Sequence, residues 1–108
     1  MPLLSRAAIL EADDRAYEDV PVPEWGGTVR VATVSAAAIE RIRGKLGVDD
    51  GTLRASFLSA ALVGDDGVPL FTADDIEALA GKNNAVIARL HDIANRLNKL
   101  DVEAAEKN

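Results

Sequence analysis

No cysteine occurs in this 108-residue chain, so disulfides and thiolate metal sites are excluded and nothing points to an oxidising compartment. Histidine is nearly absent as well. The single one, His91, lies at the edge of an apolar helical stripe with no second His near it in sequence. It reads as a boundary residue and not as a metal ligand or a catalytic base. Positive charge is in deficit: 12 Lys and Arg stand against 18 Asp and Glu, giving −6 overall and an isoelectric point of about 4.6. Such a chain is repelled by phosphate backbones, and its basic residues are scattered, so nucleic acid is not an expected partner. Long apolar runs are missing too. The N-terminal stretch MPLLSRAAIL is too short for a signal core and soon meets Glu11, Asp13 and Asp14, while no later run has membrane-spanning length. A cytoplasmic protein is expected, neither secreted by this route nor embedded.

Catalytic signatures are equally sparse. Ser5, Ser35, Ser56 and Ser59 lack a G-x-S-x-G setting, and the glycines follow neither a dinucleotide-binding nor a P-loop spacing. The acidic turn Asp65-Asp66-Gly67 fails as a calcium loop. With Gly67 at the sixth position, positions one, three and twelve fall on Leu62, Gly64 and Ala73, none with a coordinating side chain. No enzyme, cofactor or metal is expected. The composition, 48% apolar and 28% charged, is that of one folded domain over residues 1–108, with 101–108 a polar tail that frays.

The remaining signals are structural, and they concentrate between Ala60 and Gly81. Asp65-Asp66-Gly67 makes a turn, and Leu70-Phe71 returns the chain to the core. Thr72 is placed as a helix N-cap, with Asp74 and Asp75 at the positive end of the helix dipole. Phe71 and Ile76 form a hydrophobic staple across that cap, and Gly81 is expected to end the helix in the left-handed conformation. The same hydrophobe, cap and Ile pattern recurs at Leu4-Ser5-Ile9 and Val34-Ser35-Ile39, predicting helices from Arg6 to about Asp13 and from Ala36 to about Lys45.

Between these two helices, Tyr17–Val22 reads as an edge strand, because Pro21 and Pro23 lack ladder donors. Trp25-Gly26-Gly27 turns the chain, and Thr28–Val34 alternates as a second strand with Val29, Val31 and Thr33 inward. Trp25 is expected as a lid on the core, with a partner anchor as the other reading. Val48–Gly51 is a turn. Thr52–Val63 fits either a strand or a helix, and the hairpin turn after it favours a strand. Asn83 or Asn84 caps a last helix from about Ala85 to Leu100 carrying Val86, Ile87, Leu90, Ile93, Ala94, Leu97 and Leu100 on one face. The fold class expected is α+β, a small antiparallel sheet with three to four helices.

Two of these stretches together, P-E-W-G-G-T-V-R-V from Pro23 and L-V-x-D-D-G-x-P-L-F-T-x-D-D-I-E-A-L from Leu62, resemble the tail assembly chaperones of long-tailed, siphovirus-type bacteriophages. The resemblance runs from about Leu4 to Leu100. It implies a non-catalytic protein of the infected host's cytoplasm, absent from the finished particle, that binds and solubilises the tape measure protein and helps recruit tail tube protein. The motif residues Trp25, Gly26, Gly27, Asp66, Gly67, Leu70, Phe71, Thr72, Asp74, Asp75 and Ile76 are turn and core residues, so the resemblance assigns none to partner contact. It also implies a longer form made by a −1 ribosomal slip, for which Glu106-Lys107-Asn108 permits a slippery coding run. The alternative reading is a small acidic adaptor or inhibitor of the immunity-protein or antitoxin kind, whose mark would be a dense acidic patch.

Overall fold

The computed structural model describes residues 2–44 and 52–99. Their elements are α1 (Arg6–Glu11), β1 (Tyr17–Val22), a 3₁₀ turn (Pro23–Trp25), β2 (Gly27–Ala32), α2 (Ala36–Arg43), α3 (Leu53–Ala61), β3 (Leu62–Val63), a second 3₁₀ turn (Ala73–Asp75) running into α4 (Ile76–Ala80), and α5 (Asn84–Leu97). The class is α+β, as the sequence implies. Four helical units pack on the core: α2, α3, the 3₁₀ turn with α4, and α5. Helix α1 buries no residue.

The sheet is antiparallel in the order β1-β2-β3. β1 pairs with β2 from Tyr17 opposite Ala32 to Val22 opposite Gly27, and its edge position tolerates Pro21. The hairpin reverses through Pro23–Trp25, and Gly26 closes it at φ +79°, where a side chain would be strained. Val20, Val22 and Val31 are buried on one face, while Tyr17, Asp19 and Arg30 occupy the other. Arg30 bonds both Asp19 carboxylate oxygens, at 2.7 and 3.0 Å, and stacks on the Tyr17 ring 4.0 Å from its centroid. Ala32, expected on the outer face, is buried as well, in a depression it shares with Arg15 and the 65–67 turn.

Helix starts follow the side-chain caps. Ser5 accepts from the Ala8 N–H and Ser35 from the Ala38 N–H, each at 3.1 Å, and Asn83 accepts from Ala85 and Val86 at 2.8 and 3.4 Å. The staple at α1 closes over no core, since Leu4 and Ile9 are exposed.

Several expectations are corrected. Residues 53–61 form a helix and not a strand, with only Leu62–Val63 extended. Ala55, Ser56, Phe57 and Leu58 are buried in succession, because α3 lies between other helices and the sheet and has no solvent face over that stretch. Period-two alternation there was therefore a by-product of a segment apolar nearly all round. Leu70 does not enter the core: it is 56% exposed, because its N–H bonds to the Leu62 carbonyl at 2.9 Å along the outer side of β3. Phe71 alone makes the return, packing on the buried cluster.

Gly81 is right-handed at φ −80°, ψ −2°, and its N–H still bonds the Glu77 and Ala78 carbonyls. A left-handed residue does follow α5, at Lys99 with φ 58°. At Thr72 the expected cap is reciprocal: the Asp75 carboxylate accepts from the Thr72 N–H at 2.9 Å and from its hydroxyl at 3.3 Å. These two bonds stand beside the expected one, in which the Thr72 side chain faces the Asp75 backbone N–H.

The core is one cluster, with Leu58, Leu62, Leu90, Val22, Val31 and Val86 fully enclosed. Val86, Ile87, Leu90 and Ala94 of α5 are the buried stripe the spacing predicts, flanked by Ile93 and Leu97. The expectations for Lys45, the turn at Val48–Gly51, Leu100 and the tail 101–108 lie outside the described residues.

Candidate partner-binding groove

A groove of about 520 Å³ opens where the end of the hairpin meets α2, α3 and the segment that follows the 65–67 turn. Its apolar lining comes from Val34, Ala38, Ile42, Val63, Phe71 and Ile76, and its charged lining from Arg15 and Arg41. Each contributor is set by local chemistry. Ser35 caps α2 and so fixes Ala38 and Ile42 one turn apart on the groove side. Asp66 accepts the Val68 N–H at 3.0 Å and Gly67 takes φ +79°, which folds the turn tightly enough for Val63 to bridge Pro69. The Thr72–Asp75 box then launches Ile76 back over α3.

The sequence motif residues are divided by the fold. Gly67, Phe71, Thr72 and Ile76 line the groove. Asp66 and Asp75 shape the backbone around it, Asp74 lies exposed in the 3₁₀ turn, and Leu70 projects to solvent. Trp25, Gly26 and Gly27 sit at the opposite end of the hairpin, about 17–20 Å of strand away. Trp25, expected as a core lid, is 37% exposed and stands outside the buried cluster. Beside it, Glu24 holds the guanidinium of Arg89 on α5 through two bonds of 3.0 and 3.1 Å.

Arg15 and Arg41 were not singled out from sequence as site residues. Arg15 reaches the Gly67 carbonyl at 3.3 Å across 52 residues of chain, and nothing local announces such a contact. Arg41 sits in the last turn of α2, where a cation favours the helix dipole, and its place in the sequence does not announce the groove.

Among the described residues no three His, Cys, Asp or Glu side chains lie together in a group able to hold a metal. His91 stands edge-on to Phe57 with centroids 5.6 Å apart. Burial pushes its pKa below the ordinary imidazole value and nearby Arg54 pushes the same way, against a smaller pull from Asp92, so it serves as a neutral packing group.

The class defined by this geometry is a small α+β domain with a largely apolar groove. Its fold is that of a solved bacteriophage protein. The solved structure of the bacteriophage HK97 tail assembly chaperone superposes with a TM-score of 0.70 at 24% identity, over 85% of this chain and 89% of that one. At that identity the likeness establishes the fold, and it bears out at that level the resemblance carried by the two motifs. No protein-family model and no curated protein matches the sequence.

Proposed function

We propose that this chain is a phage tail assembly chaperone that binds the tape measure protein, keeps it soluble and helps bring tail tube subunits to it. The observation that carries the proposal is the shared fold, which spans nearly the whole of both chains. Two further features support it. The −6 charge favours solubility of a complex with a long aggregation-prone partner, and the groove supplies apolar surface without a catalytic constellation. The host cytoplasm is the compartment this work requires, and no helix among the described residues is long and apolar enough to cross a membrane. The longer, slipped form belongs to the same proposal, and the nucleotide sequence over the codons for Glu106-Lys107-Asn108 tests it.

Four acids paired with arginines weigh against the adaptor or inhibitor reading. Acids on the described surface are interleaved with arginines, in the pairs Arg30 with Asp19, Arg89 with Glu24, Arg96 with Glu18 and Arg15 with Asp13. Co-expression decides the function. The tape measure protein of the same phage should move into the soluble fraction with this chain and co-purify with it. A tape measure equally insoluble with and without the chain rejects the chaperone reading.

A further inference from the structure

The groove's charge runs against that of the protein. The chain carries −6, yet the charged side chains lining the groove among the described residues are both arginines. Neither is held in a close ion pair, although Arg15 donates to the Gly67 carbonyl at 3.3 Å. Arg15 has its nearest carboxylate, Asp13, at 3.9 Å, and Arg41 makes no ion pair among the described residues. The hydroxyls, by contrast, are engaged: Thr33 accepts from the Ala16 N–H, Ser35 from Ala38, Ser59 donates to the Ser56 carbonyl, and Thr72 donates to Asp75. Ser56 is buried and partnered. The groove therefore offers apolar contact and two positive charges, with few free groups for a small polar ligand.

The shape of the offer narrows further. A partner strand adding to β3 is blocked, because that side is taken by Pro69 and by the Leu70 N–H bonded to Leu62. A floor assembled from strand ends, two helices and a loop suits side chains inserted from one helix face. Carboxylates at the edge of that face would meet Arg15 and Arg41, and a basic segment would be repelled by them.

We infer that the groove holds an amphipathic helical segment with acidic flanks, its apolar residues spaced i, i+3 or i+4, i+7 on the floor and its Asp or Glu side chains against Arg15 and Arg41. The inference rests on the proposed function in one respect: the segment is taken to belong to the tape measure protein.

The test uses the full-length tape measure protein in co-purification and overlapping peptides tiled across it in fluorescence anisotropy. Three versions of the chaperone are compared: wild type, the double reversal Arg15→Glu with Arg41→Glu, and Ala73→Trp, which fills the groove from an exposed position. Urea midpoints check that each folds. The wild type should select peptides that pair an apolar helical face with carboxylates, and added salt should weaken the binding. The double reversal should weaken it about tenfold, and a peptide with Lys in place of its acids should regain affinity for the reversed protein alone. Ala73→Trp should weaken binding of acidic and Lys-bearing peptides alike, and it decides alone if the double reversal fails to fold. Wild-type binding unchanged in the variants overturns the groove assignment while leaving the chaperone function standing. Absence of wild-type binding to both the protein and its peptides rejects the functional proposal, and this inference with it.

Discussion

Two leucines of similar hydrophobicity show how position, and not residue type, sets energetic weight. Leu58 is fully buried on α3 and Leu70 is 56% exposed beyond the 65–67 turn. Leu58→Ala should destabilise by about 2–5 kcal/mol, since transfer and cavity terms add. Leu70→Ala should fall within about 0.5 kcal/mol of wild type. Phe71→Ala should cost about 3 kcal/mol, within the range for Leu58→Ala and well above Leu70→Ala, because the ring packs on the core but also lines the groove. Urea titrations give all three, and a Leu70→Ala loss as large as that of Leu58→Ala would contradict the path described for the return segment. The capping box gives a finer comparison. Asp75→Ala removes the acceptor of two bonds from Thr72 and should cost about 1 kcal/mol, at least as much as Thr72→Ala.

At the scale of elements, the caps were legible in the sequence and the buried centre was not. A cap is a local device: Ser5, Ser35 and Asn83 each reach an N–H two or three residues on, so the spacing of a few letters contains the whole interaction. The α5 stripe was legible for the same reason, because one polar face left the period visible. Helix α3 has no such contrast, and a segment buried on nearly every side can be assigned only once its neighbours are known. The groove belongs to that class as well, since Arg15, Ile42 and Phe71 meet only in three dimensions. Asn98 is a tertiary counterpart of the caps. It accepts from the Val34 N–H at 2.8 Å and donates to the Ala94 carbonyl at 2.9 Å, tying the end of α5 to the groove-lining strand end. Asn83→Ala should cost about 1 kcal/mol, whereas Asn98→Ala should cost about 1–3 kcal/mol by leaving a partly buried N–H unpaired. Amide exchange distinguishes them: Asn98→Ala should deprotect Val34, and Asn83→Ala should deprotect the first turn of α5.

For the whole molecule, pH acts through groups spread over several elements. Glu24 bonded to Arg89 ties the first 3₁₀ turn to α5, and Asp19 bonded to Arg30 ties β1 to β2. Each arginine hydrogen bond holds its carboxyl below the usual carboxylate range. His91, desolvated against Phe57, is held below the ordinary imidazole value. In all three the unfolded state binds the proton more readily than the folded state, so stability rises with pH wherever one of them titrates. The histidine contribution is present above the unfolded value of 6.5 and is lost as pH falls through the lower folded value. The carboxylate contributions are present above the unfolded values of 3.8 for Asp19 and 4.5 for Glu24, and are lost as pH falls through their depressed folded values. Urea midpoints measured between about pH 3 and 8 should therefore decline on acidification in two steps, the upper one from His91 and the lower one from the carboxylates. His91→Leu should flatten the upper step and leave the lower one. Glu24→Gln should reduce the lower step without touching the upper, and added salt should reduce it too, because that ion pair is exposed. An upper step that survives His91→Leu would mean that His91 is not the group whose protonation loosens the packing of α5 on α3.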